Sequence, residues 1–578
     1  MMFNLPSPLF RARPATAVAL ACCVALSGHA HADERAQLEQ LRATTLNLIK
    51  ALVDGGLLSQ DKADQLLRQS AQAAAAPVPV PDAGSGQRTG VIRVPYVPES
   101  VRQQMRDEIK QEVLTQARTE RWGNPGALPS WLNRITLEGD VRVRYQLEDW
   151  DKRNVSANEI SETSPGQFAL TGFALQNTPG YGPLAWAPDL TNTQDRRSRM
   201  TLRARFGLTS DLLQGFKTGI RFSTGNAQAV STSQTLGGSN GNFSKYSVML
   251  DRAWIQWQAY TPDVTLVAGR FASPYMGSDL IWPDDINFDG AAVKFKHVFN
   301  DANAVFVNAG AFPLLEFASN TSDSWLYGAQ VGAQFKPSEH SQFDVGVGYY
   351  DFRGIEGRYD ARYPNEPGVD QSYLGSEYKK AVRQRGNTLV RINPTDSAAV
   401  GGSLVAPVWG LASKFRPLTL SVAYSYQGWE SLHVRGSFDM IENTGFDLDD
   451  IRRRAQPGAD IDVAKKTTAW QARVQIGSPK QELRGDWSAF LGWRRFERDA
   501  WVDAFTDTTW HMGGTNYTGW SLGGQYFVGR RTSLGLRVTS TRNLTDGRTE
   551  EVGGVQVPNL SSARQRVDVI QLELNARF

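Results

Sequence analysis

Cysteine is nearly absent: two of 578 residues, Cys22 and Cys23, both within the first 32. Beyond that point neither disulfide nor thiolate chemistry is available. Histidine is scarce at six, and H-E-x-x-H does not occur. Beyond residue 32 no apolar run approaches the eighteen or so residues that a membrane helix needs, which excludes a helical membrane protein. It leaves a membrane barrel open, because alternate strand residues there face water. Charge is nearly balanced, 62 basic residues against 59 acidic, which gives no support for a nucleic-acid partner. Glycine (53), tryptophan (16), tyrosine (17) and phenylalanine (26) are plentiful, as turns and interfacial aromatic girdles require.

Residues 1–32 read as a secretory signal. Arg11 and Arg13 precede the apolar stretch Ala15 to Leu26, and Ala30-His31-Ala32 supplies an A-x-A site. Residues 33–76 read as a helical hairpin, with Leu38, Leu41, Leu48 and Leu52 at helical spacing and Gly55-Gly56 as the break. Residues 77–98 form a linker holding Pro77, Pro79, Pro81, Pro95 and Pro98. Residues 99–121 read as a charged helix with Val101, Met105, Ile109, Val113 and Ala117 on one stripe, either a solvated helix or a short oligomerisation helix of a homotrimer.

From 131 to 578 the period becomes two. Sixteen alternating runs are expected at 135–148, 199–209, 216–224, 248–259, 264–271, 289–299, 304–311, 324–335, 341–350, 409–416, 418–427, 467–476, 486–496, 518–528, 532–540 and 566–578. The clearest runs Trp325, Tyr327, Ala329, Val331, Ala333 and Phe335 against Leu326, Gly328, Gln330, Gly332 and Gln334. Short connections such as Thr261-Pro262-Asp263 and Gly529-Arg530-Arg531 alternate with long ones such as 149–198, 351–408 and 428–466. Short turns on one side and long loops on the other are how transmembrane β-barrels are built. The expected fold is therefore an all-β transmembrane antiparallel barrel of about sixteen strands behind a short helical periplasmic segment. Aromatic residues near run ends, among them Tyr145, Tyr260, Phe271, Phe299, Phe335, Tyr350, Phe415, Trp429, Trp493 and Phe496, are expected in the girdles.

The last run alternates Ile570, Leu572, Leu574, Ala576 and Phe578 with Gln571, Glu573, Asn575 and Arg577. With Val94-Pro95-Tyr96-Val97-Pro98-Glu99, Glu120-Arg121-Trp122-Gly123 and Gly269-Arg270-Phe271 through Trp282-Pro283-Asp284-Asp285, the chain resembles the putative porin family of Gram-negative outer-membrane proteins. The resemblance covers nearly all of the chain beyond residue 32. It implies a channel in outer-membrane lipid and no particular solute. The terminal Phe578 likewise resembles the signal read by the barrel-assembly machinery.

If the apolar face of each run meets lipid, the other lines a pore. That face carries Arg142, Arg144, Arg203, Arg205, Arg221, Arg252, Lys294, Lys296, Arg473 and Arg494, with fewer acids, Glu138, Asp140, Asp344 and Glu573. Charged rings set ion preference, so a wall biased toward anions is expected. The competing reading makes these arginines structural partners of acids on infolded loops. The stretch Phe271 to Gly290 holds Asp279, Asp284, Asp285 and Asp289. Folded inward, it would set a transverse field at a constriction. A solvated loop, or a calcium site of no EF-hand spacing, are the alternatives.

The leading expectation is passive diffusion of small hydrophilic solutes, with no cofactor and no catalytic turnover. The alternative is a barrel-anchored structural or adhesive protein whose hairpin contacts peptidoglycan.

Overall fold

The computed structural model describes residues 134–578 outside 155–191, 226–229, 239–240, 301, 317–322, 361–375, 380, 394–407, 459–460, 462, 545–548, 553–554 and 559–564. The chain divides into two units, Met1–Glu112 and Val113–Phe578, and the described residues all belong to the second. The expected signal (1–32), hairpin (33–76), linker (77–98) and charged helix (99–121) lie outside the described residues.

Sixteen strands build the wall. They are β1 (Ile135–Trp150), β2 (Arg197–Leu213), β3 (Phe216–Thr224), β4 (Val248–Gln258), β5 (Val264–Ala272), β6 (Asn287–Phe299), β7 (Asn303–Leu315) and β8 (Ser324–Ser338). They continue as β9 (Ser341–Arg353), β10 (Pro417–Trp429), β11 (Leu432–Asn443), β12 (Thr468–Gly477), β13 (Trp487–Phe496), β14 (Tyr517–Gly529), β15 (Thr532–Asn543) and β16 (Arg566–Arg577). Each pairs antiparallel with the next. β16 also pairs with β1, from Asp140 opposite Arg577 to Trp150 opposite Val567, and the sheet closes. Closure removes both edges, which is what lets strands cross a bilayer with every backbone group paired.

The expected count is met, with one exchange of strands. The run 409–416 is not in the wall: Trp409–Leu411 pairs with Leu389–Arg391 in a separate two-stranded piece. Consecutive residues from Trp409 to Ser413 are all buried, so both faces of that run meet protein. Instead β11, inside the stretch expected to be a long loop, completes the barrel after a two-residue turn at Glu430-Ser431. Its alternation is hidden because Ile441 points inward and Gly436 breaks the outward apolar row.

The outer face is apolar. Leu137, Val141, Phe206, Ile220, Ile255, Val331, Val347, Leu491, Leu536 and Leu572 are exposed there, as a lipid-facing surface demands. The core sits inside. Phe271, Trp282, Phe288, Phe312, Tyr350, Phe415, Trp501 and Tyr517 form one buried cluster with inward loops. Four residues expected in the girdles, Phe271, Tyr350, Phe415 and Phe496, belong to this interior. Tyr145, Tyr260, Phe299, Phe335, Trp429 and Trp493 are exposed as expected.

Two glycines set the base of the loop 273–286. Gly269 (φ +111°) and Gly290 (φ +140°) face each other across β5 and β6. A Cβ on either would come within 2.3 Å of a carbonyl oxygen, that of Ala253 or Ala311. Only glycine tolerates both the conformation and the approach.

Candidate functional site: a loop folded inside the barrel

The 273–286 loop leaves the wall at β5, crosses the lumen and returns at β6. Three fixings hold it. The Met276 N–H donates to Gln330 Oε1 and Gln330 Nε2 donates to the Met276 carbonyl, each at 2.7 Å. Asp279 accepts from Gln471 Nε2 (2.9 Å) and Trp510 Nε1 (3.1 Å) and pairs with Arg494 at 2.9 Å. Trp282 packs edge-on against Phe288, Tyr350 and Trp501 at centroid distances of 4.7, 5.5 and 4.9 Å. Burial alone would raise the Asp279 carboxyl; Arg494 and then Arg473 outweigh it and hold the group well below the usual carboxylate range.

The returning limb presents two carboxylates. Asp285 lies 3.5 Å from Arg205 and 3.7 Å from Arg203. Asp284 has no ion pair among the described residues and is exposed, although the barrel surrounds it. Enclosure, with Asp279 and Asp285 close by, pushes its carboxyl above the usual range against a smaller downward pull from Arg205 and Arg203.

Facing this limb is a basic wall on β1 to β4. Period two puts Arg142 and Arg144, Arg203 and Arg205, and Arg221 on the inner face. A register shift between Arg221 and Phe222 makes both Asp251 and Arg252 of β4 point inward. Most of the acids here are bound in place. Asp140 holds Arg203 (2.9 Å) and Arg205 (2.6 Å), Asp251 holds Arg221 (2.6 Å), and Glu573 of β16 holds Arg144 (2.6 Å). Arg142 donates instead to Ser233 (2.8 Å), Arg252 to Asn287 (2.7 Å) and Lys296 to Gln334 (2.7 Å). Arg473 lies 3.8 Å from the centre of the Phe490 ring, and Arg537 donates to Thr509 (2.9 Å). With Lys294, these last five form a set of six cations that make no ion pair among the described residues.

All ten expected pore-lining cations thus lie on inward registers, but their surroundings differ. Arg494 is fully buried beneath the loop, bonded to Gln471 (2.7 Å) and Tyr517 (3.0 Å) and stacked 4.4 Å over Trp510. It is a structural anchor with no lumen surface. Asp289 is not in the loop. It lies in β6 on the register of outward-facing Val293 and pairs with Arg270 at 2.6 Å. Sequence reading passed over Asp251, Gln330, Gln471 and Trp510. Asp251 was hidden by the register shift, and the others carry no periodic signal that links them to the loop.

One hydrolase-like string, G-x-S-x-G at Gly237 to Gly241, does occur. Its Ser239 and Asn240 lie outside the described residues. His511 is buried and kept neutral by burial and then by Arg385; its ring shares a hydrogen bond with Thr541 (2.9 Å), not with a carboxylate. Among the described residues no group of three His, Cys, Asp or Glu is placed to hold a metal ion.

A closed sixteen-stranded antiparallel barrel with an apolar exterior, a polar interior and an infolded loop defines an outer-membrane channel. The chain belongs to the putative porin family, whose model matches residues 42–578. It is similar to the outer membrane channel DcaP of Acinetobacter baumannii (9% identity, TM-score 0.35, 77% of this chain and 97% of that one). It is also similar to OprB of Pseudomonas putida (12%, 0.39, 79% and 97%) and to an anion-selective porin from Comamonas acidovorans (11%, 0.36, 77% and 99%). No match was found among curated proteins.

Proposed function

We propose that this outer-membrane porin passes small hydrophilic solutes by diffusion, with a preference for anions. The path runs between the infolded loop and the inner surface that carries Arg142, Arg144, Arg473 and Arg537. The observation that supports the preference is the imbalance of free charge. Arg142, Arg252, Lys294, Lys296, Arg473 and Arg537 make no ion pair among the described residues, whereas Asp140, Asp251, Asp279 and Glu573 are each held by an arginine. The arginine-paired acids cancel their partners and leave the remaining cations to set the field. Asp284, opposite them, gives the field a transverse direction.

Single-channel recording across a salt gradient tests this. A stable conductance whose reversal potential has the chloride sign supports the reading. A reversal potential of the potassium sign overturns the anion preference and makes Asp284 and Asp285 the filter.

A second reading has its own support. Trp501 and Phe505 pack against Trp282 at centroid distances of 4.9 and 6.0 Å, and Leu389, Trp409, Leu411 and Phe415 join the same buried cluster, with Trp501 and Phe415 wholly buried. Correctly folded protein that conducts nothing would favour a plugged barrel with a structural or tethering role.

A further inference from the structure

The outer face of β13 to β16 carries a row of cations beside the 497–516 and 544–565 loops. Arg495 of β13 is the register partner of Thr518 of β14, Thr518 of Arg542 on β15, and Arg542 of Arg566 on β16. Period two puts all four on the side of the exposed Leu491, Leu522, Leu536 and Ile570, away from the lumen. The rows beneath them follow the depth of a membrane. Leu491, Leu522, Val538 and Ile570 make one apolar row across the four strands. Two residues further along stand Trp493 and Trp520, register partners of the kind that mark the boundary between hydrocarbon and headgroups. The arginine row comes two residues later, about 7 Å along the strands. That is headgroup depth, at the end of the barrel whose long loops face the cell exterior.

The row is short of acids. Arg542 is exposed and makes no hydrogen bond or ion pair among the described residues. Arg566 lies 3.6 Å from Asp568, and Arg495 lies 3.3 Å from Glu497. The other oxygen of Glu497 is taken by the N–H and hydroxyl of Thr468. Two outward arginines elsewhere at this end are closed by an acid, Arg270 by Asp289 at 2.6 Å and Arg353 by Asp351 at 2.7 Å. Arg542 and Arg566 instead stand directly opposite each other. Like charges so placed, with Cβ atoms about 4.5–5.5 Å apart, destabilise a sheet. A phosphate between them reverses the sign, because both guanidinium forks can donate to its oxygens.

We propose that Arg495, Thr518, Arg542 and Arg566 form a docking site for a phosphate-bearing lipid of the outer leaflet. The phosphate sits between Arg542 and Arg566, and the acyl chains run down past Trp493 and Trp520 onto the apolar row. The proposal rests on the barrel's place in the outer membrane and not on what it conducts.

Native mass spectrometry of the full chain, folded in detergent, tests it with phosphatidic acid and with diacylglycerol of the same chains. The two lipids differ only in the phosphate. One copy of phosphatidic acid is expected to bind about tenfold more tightly than diacylglycerol. Arg542→Gln and Arg566→Gln together should weaken it about tenfold. Both side chains are exposed, so this double variant keeps its fold, which heat-modifiable migration checks. Arg353→Gln, at an arginine already held by an acid, should leave the affinity unchanged. Equal affinity for the two lipids overturns the proposal, as does unchanged phosphatidic acid binding in the folded double variant or an equal loss in Arg353→Gln. Displacement by an equimolar amount of inorganic phosphate also overturns it, since the site would then take a free anion and make no use of the chains. Potassium chloride conductance keeps the two readings apart. Conduction without phosphatidic acid binding sinks only the lipid site, and binding without conduction supports the site and sinks only the channel.

Discussion

The Asp279 carboxylate lies 2.9 Å from the guanidinium of Arg494, across the barrel from the strands that carry the 273–286 loop. This pair fixes where the loop crosses the barrel interior. Asp279→Asn leaves a wholly buried guanidinium without its counter-charge, a change that costs about 3–5 kcal/mol in such settings. Thermal shift of heat-modifiable migration should fall accordingly. In the folded fraction the conductance should rise, because the loop loses its far anchor; an unchanged conductance would mean that Trp282 packing alone suffices.

Selectivity should follow the unpaired charges rather than the paired ones. Arg142→Gln is expected to lower the chloride preference and Asp284→Asn to raise it. One charge acting over about 4 Å in water is worth about 1 kcal/mol, or roughly fivefold in permeability ratio, and less at high salt. Reversal potentials at two salt levels check both signs. Arg494→Gln should leave the ratio in the folded fraction unchanged, as that side chain has no lumen surface.

Asp503 lies outside the membrane strands, and burial pushes its carboxyl up to about 6, against smaller downward pulls from the Tyr378 hydroxyl and Arg383. A folded value raised above the unfolded one means stability that is fully present below the unfolded pKa of 3.8. It is lost as pH rises through about 6. Asp499 and Asp507, also buried in this segment, are raised in the same direction. The 497–516 loop should therefore be better anchored at pH 4 than at pH 7, by at most about 3 kcal/mol from Asp503. Protease susceptibility of this loop across that range measures it, and Asp503→Asn should flatten the dependence.

Gly269→Val places a branched side chain at φ +111° with its Cβ against the Ala253 carbonyl. A loss of roughly 2–4 kcal/mol is expected from strain and clash together. The same substitution at Gly237 meets nothing within 4 Å, leaving only the positive φ as a penalty. Comparing their unfolding temperatures separates the two contributions.

At the seam, the Phe578 N–H donates to the Gly139 carbonyl (3.0 Å), and the Phe578 carbonyl accepts the Gly139 N–H (3.2 Å). A Cβ on Gly139 would lie 2.2 Å from the Phe578 ring. If Phe578 acts as an assembly signal as well as a closing residue, Phe578→Ala should reduce outer-membrane yield in cells more than refolding yield in detergent. Gly139→Val, which disturbs only the contact, should reduce both alike.

The wall was readable because strands with lipid on one side must alternate, and Leu572, Val331 and Leu536 do so. It became unreadable where the inner face is itself apolar. Ile441 hides β11, and the run from Trp409, buried on both faces within a separate two-stranded piece, imitates a wall strand. The same cause misplaced Tyr350 and Phe496, which serve an interior core and not the girdles. Inward arginines followed from period two, but their fate did not. Whether Arg142 is free or Arg494 is spent depends on Ser233, Asp279 and Gln471, which meet them only through register and an infolded loop. Asp289 looked like part of an acidic loop because the stretch Phe271 to Gly290 overruns the true start of β6.

The seam also dictates a folding order. Arg144 and Glu573, bonded at 2.6 Å, stand 429 positions apart. Any chain still lacking β16 exposes two raw sheet edges, one on β1 and one on the strand made last. Contacts of such long range form slowly and leave intermediates prone to aggregate. A nick in an outer loop leaves all sixteen strands paired, whereas clipping off the last dozen residues removes both pairings of β16 and opens the closed sheet.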